Sequence, residues 1–336
     1  MERSDPNNKK KFGFDIVHVD KNTESLVLSY FKGPLAGLFQ VGPEKWMLPK
    51  LYPECVEELH NFEARHDDIW ISTFVRSGTT WAQEMIWLLC NDLNYDAAKA
   101  THLNIRFPFF ELDSFVPADG DASTDSVLIK LKQILPPAPK LLAEMTSQRL
   151  IKTHFPIKLM PHDVLAKDCK IVYVARCPRD VLVSLFHFSK VAGYSYVGNF
   201  EEFVDFFMKD LLPWGPYFEH IKDAWSRRND SNVLFLFYEN LVMDLENSLK
   251  KLASFLERPL SDNELPELLQ HLSFQNFKQN SSVNMQLFEN LGMGGWSFMR
   301  RGQVGGNPEI TAEIGEKIDA WTNEQLKGTG LIFPIQ

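Results

Sequence analysis

The chain has 336 residues, 44% of them hydrophobic and 24% charged, with a formal net charge of −9. That length suits one large domain or two ordinary ones, with ample material for a core. The acidic balance argues against nucleic acid or an anionic membrane as the main partner, so an anionic ligand would need a local basic pocket. No apolar run is long enough to span a bilayer, and the polar start Met1–Lys10 lacks the apolar segment of a secretory signal. Four cysteines, Cys55, Cys90, Cys169 and Cys177, show no metal-ligand spacing and read as reduced thiols of a cytoplasmic protein.

In chain order, residues 1–11 read as a disordered tail and 12–336 as a single α/β domain. Gly33, Pro34, Gly42 and Pro43 break the stretch to Lys50 into short strands and turns. A helix opens with Pro53 in its first turn, and a second runs from Asp96 to Thr101. Arg106-Phe107-Pro108-Phe109-Phe110-Glu111 is an aromatic loop, and the Pro-rich stretch 115–148 is a candidate lid. Arg149–His154 and Asn232–Tyr238 read as strands. Lys170–Arg176 is a near-continuous apolar run, as expected of a parallel strand buried on both faces. Helices are expected from Pro178, over 200–228, near 244–257 and 262–271, and over Glu309–Leu326. Alternating strands and helices predict a central parallel β-sheet flanked by helices. Ligands bind such sheets at the C-terminal strand ends, where Arg76, His154, Arg176 and Tyr238 would gather.

The stretch Trp70–Trp81 organises this plan. An apolar strand runs into Arg76-Ser77-Gly78-Thr79-Thr80, and a helical pattern follows with Trp81, Met85, Leu88 and Leu89 on one side. Strand, small-residue turn and helix make a P-loop-like phosphate-binding loop, because backbone N–H groups at a helix start point at an anion. The other reading is a capped turn with Ser77 as N-cap. A Walker A motif is excluded, since no Lys follows Gly78, which argues against a P-loop kinase. The 26 Phe residues are either core aromatics or the wall of an apolar pocket.

Together these stretches resemble the cytosolic sulfotransferase family, in wording closest to its insect members. The matching pieces are Arg76–Trp81, Arg106–Glu111, Lys152-Thr153-His154-Phe155-Pro156 and Val172–Arg176 with Arg179, Asp180 and Ser184. Phe237-Tyr238-Glu239 and Phe298-Met299-Arg300-Arg301-Gly302 complete the set. The resemblance implies the sulfotransferase fold and transfer of a sulfuryl group from 3'-phosphoadenosine 5'-phosphosulfate to a phenol, steroid or terpenoid alcohol. Adenosine 3',5'-bisphosphate is then the product, and no metal is implied. It makes His154 the general base, with Lys152 and Arg76 as the charges that stabilise the leaving phosphate. The 5' phosphate falls on Ser77, Gly78, Thr79 and Thr80. The 3' phosphate falls on Arg176, Ser184, Arg300 and Gly302, with Arg301 nearby. Trp81, Tyr238, Ser273 and Phe274 contact the adenosine; a helix N-cap is the other reading of Ser273, and a packed small residue that of Ser184. Phe107, Phe109, Phe110 and His187, with Lys152 and His154, are the candidate substrate pocket.

The chain departs from the family in carrying Arg76 where Lys is usual and Leu272 where Thr is common. Gly305-Gly306-Asn307-Pro308 replaces the usual lead into a dimer motif, so a homodimer is an open expectation. Two alternatives stay in view. One is a non-catalytic carrier of nucleotide and apolar ligand. The other is a dehydratase acting through a transient sulfate ester, as in insect members that dehydrate a polyene alcohol.

Overall fold

A computed structural model describes residues 11–33, 38–114, 138–191, 194–284 and 299–334. The expected disorder of 1–11 falls almost wholly outside these residues, as do most of the candidate lid and Phe298.

Two sheets form. Near the start of the chain, β1 (Ile16–His18), β2 (Leu38–Val41) and β3 (Trp46–Pro49) pair antiparallel in the order β1-β2-β3. The second sheet is parallel, with order β5-β4-β6-β7. It comprises β4 (Ile69–Ser72), β5 (Leu150–Thr153), β6 (Lys170–Ala175) and β7 (Val233–Phe237). The central strands are nearly all apolar because both faces are covered. Along β6, Ile171, Tyr173 and Ala175 enter one core cluster while Val172 and Val174 enter the other. β4 divides likewise, with Trp70 in the first cluster and Ile69 and Ile71 in the second.

Helix boundaries follow local chemistry. Pro178 opens the helix Pro178–Ser189, where its missing N–H costs nothing. Asn199 and Glu202 make a reciprocal capping box at the start of Phe200–Met208. The helix expected over 200–228 is in fact two, Phe200–Met208 and Tyr217–Ser226. Pro213, Gly215 and Pro216 lie in the gap, and prolines remove the N–H groups a continuous helix needs. The break matters because it places Trp214 beside the sheet's C-terminal edge, with its ring 5.8 Å from that of His154. Among the described residues, no helix is long and apolar enough to cross a membrane.

Candidate active site

The cradle lies between β4 and the helix Thr79–Cys90. Its backbone turns sharply twice: Arg76 has φ +66° and Gly78 φ +97°, both left-handed. That conformation suits Gly78 and strains Arg76, a form of strain found at functional sites. Gly78 is also required for space, since a Cβ there would sit 2.5 Å from the Tyr238 ring. The helix N-cap is Gly78, not Ser77, and no side chain caps the first turn. The capped-turn reading of Ser77 therefore fails. Its hydroxyl is buried without a hydrogen-bond partner, and the first helical N–H groups remain available to an anion. Thr79 and Thr80 are buried beside it, and Thr79 Oγ1 lies 2.6 Å from Thr73 Oγ1.

Cations converge on this cradle. Arg76 Nε donates to Ser184 Oγ at 3.0 Å, and its guanidinium lies 5.0 Å from the centroid of the Phe188 ring. Arg176 donates to the Arg76 carbonyl at 3.0 Å and stacks 4.2 Å over Tyr238. Burial draws the Arg76 pKa down to about 9, and repulsion from Arg176 and Arg300 adds to it. Arg176 Nε is buried without a hydrogen-bond partner. Arg300 and Arg301 stand on the loop before Asn307: Arg300 reaches Glu309 at 3.3 Å, and Arg301 donates to the Gly306 carbonyl at 2.7 Å. That loop is anchored by Asp180, which accepts from the Gly305 N–H at 3.0 Å and the Asn307 amide at 2.7 Å.

β5 delivers Lys152 and His154. His154 Nδ1 lies 2.9 Å from the Thr73 carbonyl, which can only accept. The proton of a neutral ring is therefore on Nδ1, and Nε2 carries the lone pair. Burial, then Lys152, holds the His154 pKa well below its ordinary value, so the ring is neutral at working pH. Lys152 sits 4.4 Å from the Phe109 ring centroid, and burial pulls its pKa down to about 8 against the opposing pull of Glu111. Glu111 is fully buried, accepts the His154 N–H at 2.5 Å, and is pushed up to about 7 by burial. His220 Nε2 lies 2.9 Å from the His154 carbonyl, and Tyr173 OH lies 2.8 Å from its Nδ1.

The aromatic loop is more ordered than its composition suggested. Lys152 N donates to Pro108 O at 2.9 Å, and Phe110 N donates to Lys152 O at 2.8 Å, so residues 108–110 run beside β5. Successive side chains then point oppositely. Phe109 faces Lys152 and His154, with ring centroids 5.3 Å apart in the latter pair. Phe110 faces the core, edge-on to Phe62 and Trp70. Phe107 is equally buried, in the other cluster. Phe107 and Phe110, expected in the substrate pocket, are both buried in the core clusters. His187 is turned to Glu309, with its Nε2 2.6 Å from the carboxylate.

A third group assembles on the far side of the cradle. Trp81 Nε1 donates to the Leu272 carbonyl at 3.0 Å, and its ring stands edge-on to Tyr238 at 6.0 Å. Ser273 caps the helix Phe274–Gln279, as the alternative reading expected. Phe274 packs on Gly302, where a Cβ would lie 2.1 Å from the ring. Thr73, Glu111, Asp180 and Trp214 had no place among the expected site residues, yet each holds or borders one of them.

Two orphaned polar atoms, an uncapped helix start and three converging guanidiniums fit a ligand with more than one anionic group. Comparison with known proteins agrees. The sulfotransferase domain family model matches residues 66–330. Luciferin sulfotransferase of Photinus pyralis is 33% identical over 301 residues, covering 87% of this chain and 80% of that protein. The crystal structure of retinol dehydratase with androsterone and the inactive cofactor PAP superposes with a TM-score of 0.87 at 32% identity, over 96% of this chain and 99% of that one. Its complex with retinol and PAP gives 0.85 at the same identity and coverage. A match along most of the sequence and a likeness along nearly the whole structure point the same way: the chain belongs to the cytosolic sulfotransferase family of enzymes.

Proposed function

We propose that the protein moves a sulfuryl group from 3'-phosphoadenosine 5'-phosphosulfate to the hydroxyl of a small apolar alcohol. The observation that carries this reading is the His154 ring: its Nδ1 is committed to the Thr73 carbonyl, so Nε2 is a base of fixed direction. When bound, the donor supplies the sulfuryl group and departs as adenosine 3',5'-bisphosphate. His154 Nε2 takes the acceptor's hydroxyl proton. Lys152 and Arg76 offset negative charge growing at the leaving phosphate, in a site too dry for water to do so. Ser77, Gly78, Thr79 and Thr80 hold the 5' phosphate through N–H and hydroxyl donors. Arg176, Ser184, Arg300 and Gly302 hold the 3' phosphate, with Arg301 beside them. Trp81, Tyr238, Ser273 and Phe274 enclose the adenosine. Phe109 and Trp214, flanking His154, favour an apolar acceptor. The reaction runs in the cytoplasm.

The likeness to retinol dehydratase favours a second outcome for the same site. A sulfate ester of a polyene alcohol can lose sulfate and a proton to leave an alkene, so the net reaction is dehydration. Incubation with the donor and retinol, androsterone or a simple phenol, followed by product analysis, separates the two. A stable sulfate ester supports transfer alone. An alkene with free sulfate supports dehydration. If no adenosine 3',5'-bisphosphate forms with any acceptor while the nucleotide still binds, the protein is a carrier and both enzymatic readings fail.

A further inference from the structure

Behind the base-facing residues lies a polar cluster that takes no part in phosphate binding or proton transfer. Glu84 sits three residues after Trp81 on the helix Thr79–Cys90, close to the same face. Its Oε1 accepts from His271 Nε2 at 2.9 Å, and its Oε2 takes the Arg106 guanidinium. Arg106 is held in turn: Nε donates to the Thr101 carbonyl at 3.1 Å, and the guanidinium lies 4.5 Å from the Trp87 ring centroid. The side chains of Glu84, His271 and Arg106 are 0%, 8% and 5% exposed, so the cluster is dry.

A dry ion cluster is a poor source of adhesion, because desolvation cancels much of the attraction. The helix Leu265–Leu272 already packs on the Trp81 helix, and Leu268, Leu272 and Met85 belong to one apolar cluster. What the charged link adds is direction. His271 immediately precedes Leu272, whose carbonyl receives the Trp81 indole N–H. Ser273 and Phe274 follow, and Phe274 packs on Gly302. A carboxylate on Trp81's own helix thus grips the segment that carries the opposite side of the base site.

We propose that Glu84 and His271 are positioning residues for base recognition: their hydrogen bond sets the spacing between Trp81 and the Leu272–Phe274 segment. The proposal rests on reading Trp81, Ser273 and Phe274 as the adenosine contacts. Calorimetry with adenosine 3',5'-bisphosphate and with base-free ribose 3,5-bisphosphate tests it. His271→Phe keeps a ring and removes the donor. It should weaken the adenosine ligand about tenfold and leave the base-free ligand unchanged. His271→Gln, whose amide can still donate to Glu84, should recover most of that loss. Equal losses for both ligands, no loss for either, or no recovery with Gln would overturn the proposal. If wild type binds the two ligands equally, the base site itself is misassigned, and this is seen before any variant is made. Should His271→Phe not fold, hydrogen exchange on wild type decides. Amides of residues 271–277 should gain protection with the adenosine ligand alone, and equal protection by both ligands would contradict the idea.

Discussion

The parallel sheet has two ends, and they use charge in opposite ways. At the N-terminal ends of β4 and β5, Asp68 and Arg149 close on each other, with Nε to Oδ1 at 2.7 Å and NH2 to Oδ2 at 2.5 Å. Each guanidinium nitrogen of Arg149 has a partner, since it also reaches the Leu142 and Glu63 carbonyls, and Asp68 also takes the Arg65 N–H. At the C-terminal ends of the same sheet, Arg76 and Arg176 crowd one another, and the carboxylate beside Arg176 is engaged elsewhere. Asp180 stands 3.9 Å from Arg176 but is hydrogen-bonded to Gly305 and Asn307. Ser77 Oγ and Arg176 Nε have no partner at all. A charge pair that satisfies itself holds strands together. A set of cations that does not is arranged for a ligand.

Substitutions can sharpen that contrast. His154→Ala should have the largest effect, lowering kcat about a thousandfold for an acceptor of ordinary acidity while nucleotide affinity and melting temperature hold. An acidic phenol, already ionised, should suffer least. Turnover of ordinary phenols at the wild-type rate would make His154 a bystander. Asp68→Ala should do the reverse. Breaking this buried pair should cost about 3–5 kcal/mol in denaturant unfolding, yet leave kcat per folded molecule unchanged. A change in kcat there would erase the distinction between the two ends.

Arg76→Met comes next. Removing a cation that acts mainly in the transition state should lower kcat roughly a hundredfold with little loss of product-nucleotide affinity. Arg76→Lys should retain much of the activity. Single-turnover kinetics separate this from a carrier: if wild type transfers nothing and Arg76→Lys restores transfer, the catalytic reading of Arg76 is wrong.

The mildest effect is that of pH. On the proposed mechanism Lys152 must stay protonated to offset charge, and burial draws its pKa down to about 8, so kcat/KM should fall as pH rises through about 8. His154 must stay neutral, and its pKa lies well below the usual value, so the acid limb should appear well below pH 6.5. Lys152→Arg should move the alkaline limb upward. A profile set instead by an imidazole titrating near 6.5 would show that His154 is less buried than described.

Much of this site was legible from residue patterns. Apolar runs ending in polar residues located β4 to β7, and with them Arg76, His154, Arg176 and Tyr238. The parts that stayed hidden are those whose chemistry is common to any protein. Thr73 acts through its backbone carbonyl, which no side chain advertises. Glu111 is one carboxylate among the chain's acidic residues until residues 108–110 are seen beside β5. That pairing also turns Phe109 and Phe110 to opposite faces, since an extended run alternates. Pro213, Gly215 and Pro216 carry the signal for the break between Phe200–Met208 and Tyr217–Ser226, and with it for the place of Trp214.

On the proposed function, the C-terminal sheet edge holds two separate anions of one nucleotide. Calorimetry of wild type and Arg176→Ala with adenosine 3',5'-bisphosphate and with AMP tests it most directly. Wild type should bind the bisphosphate far more tightly than AMP, and Arg176→Ala should lose most of that preference while its affinity for AMP changes little. Equal wild-type affinity for the two nucleotides would contradict it.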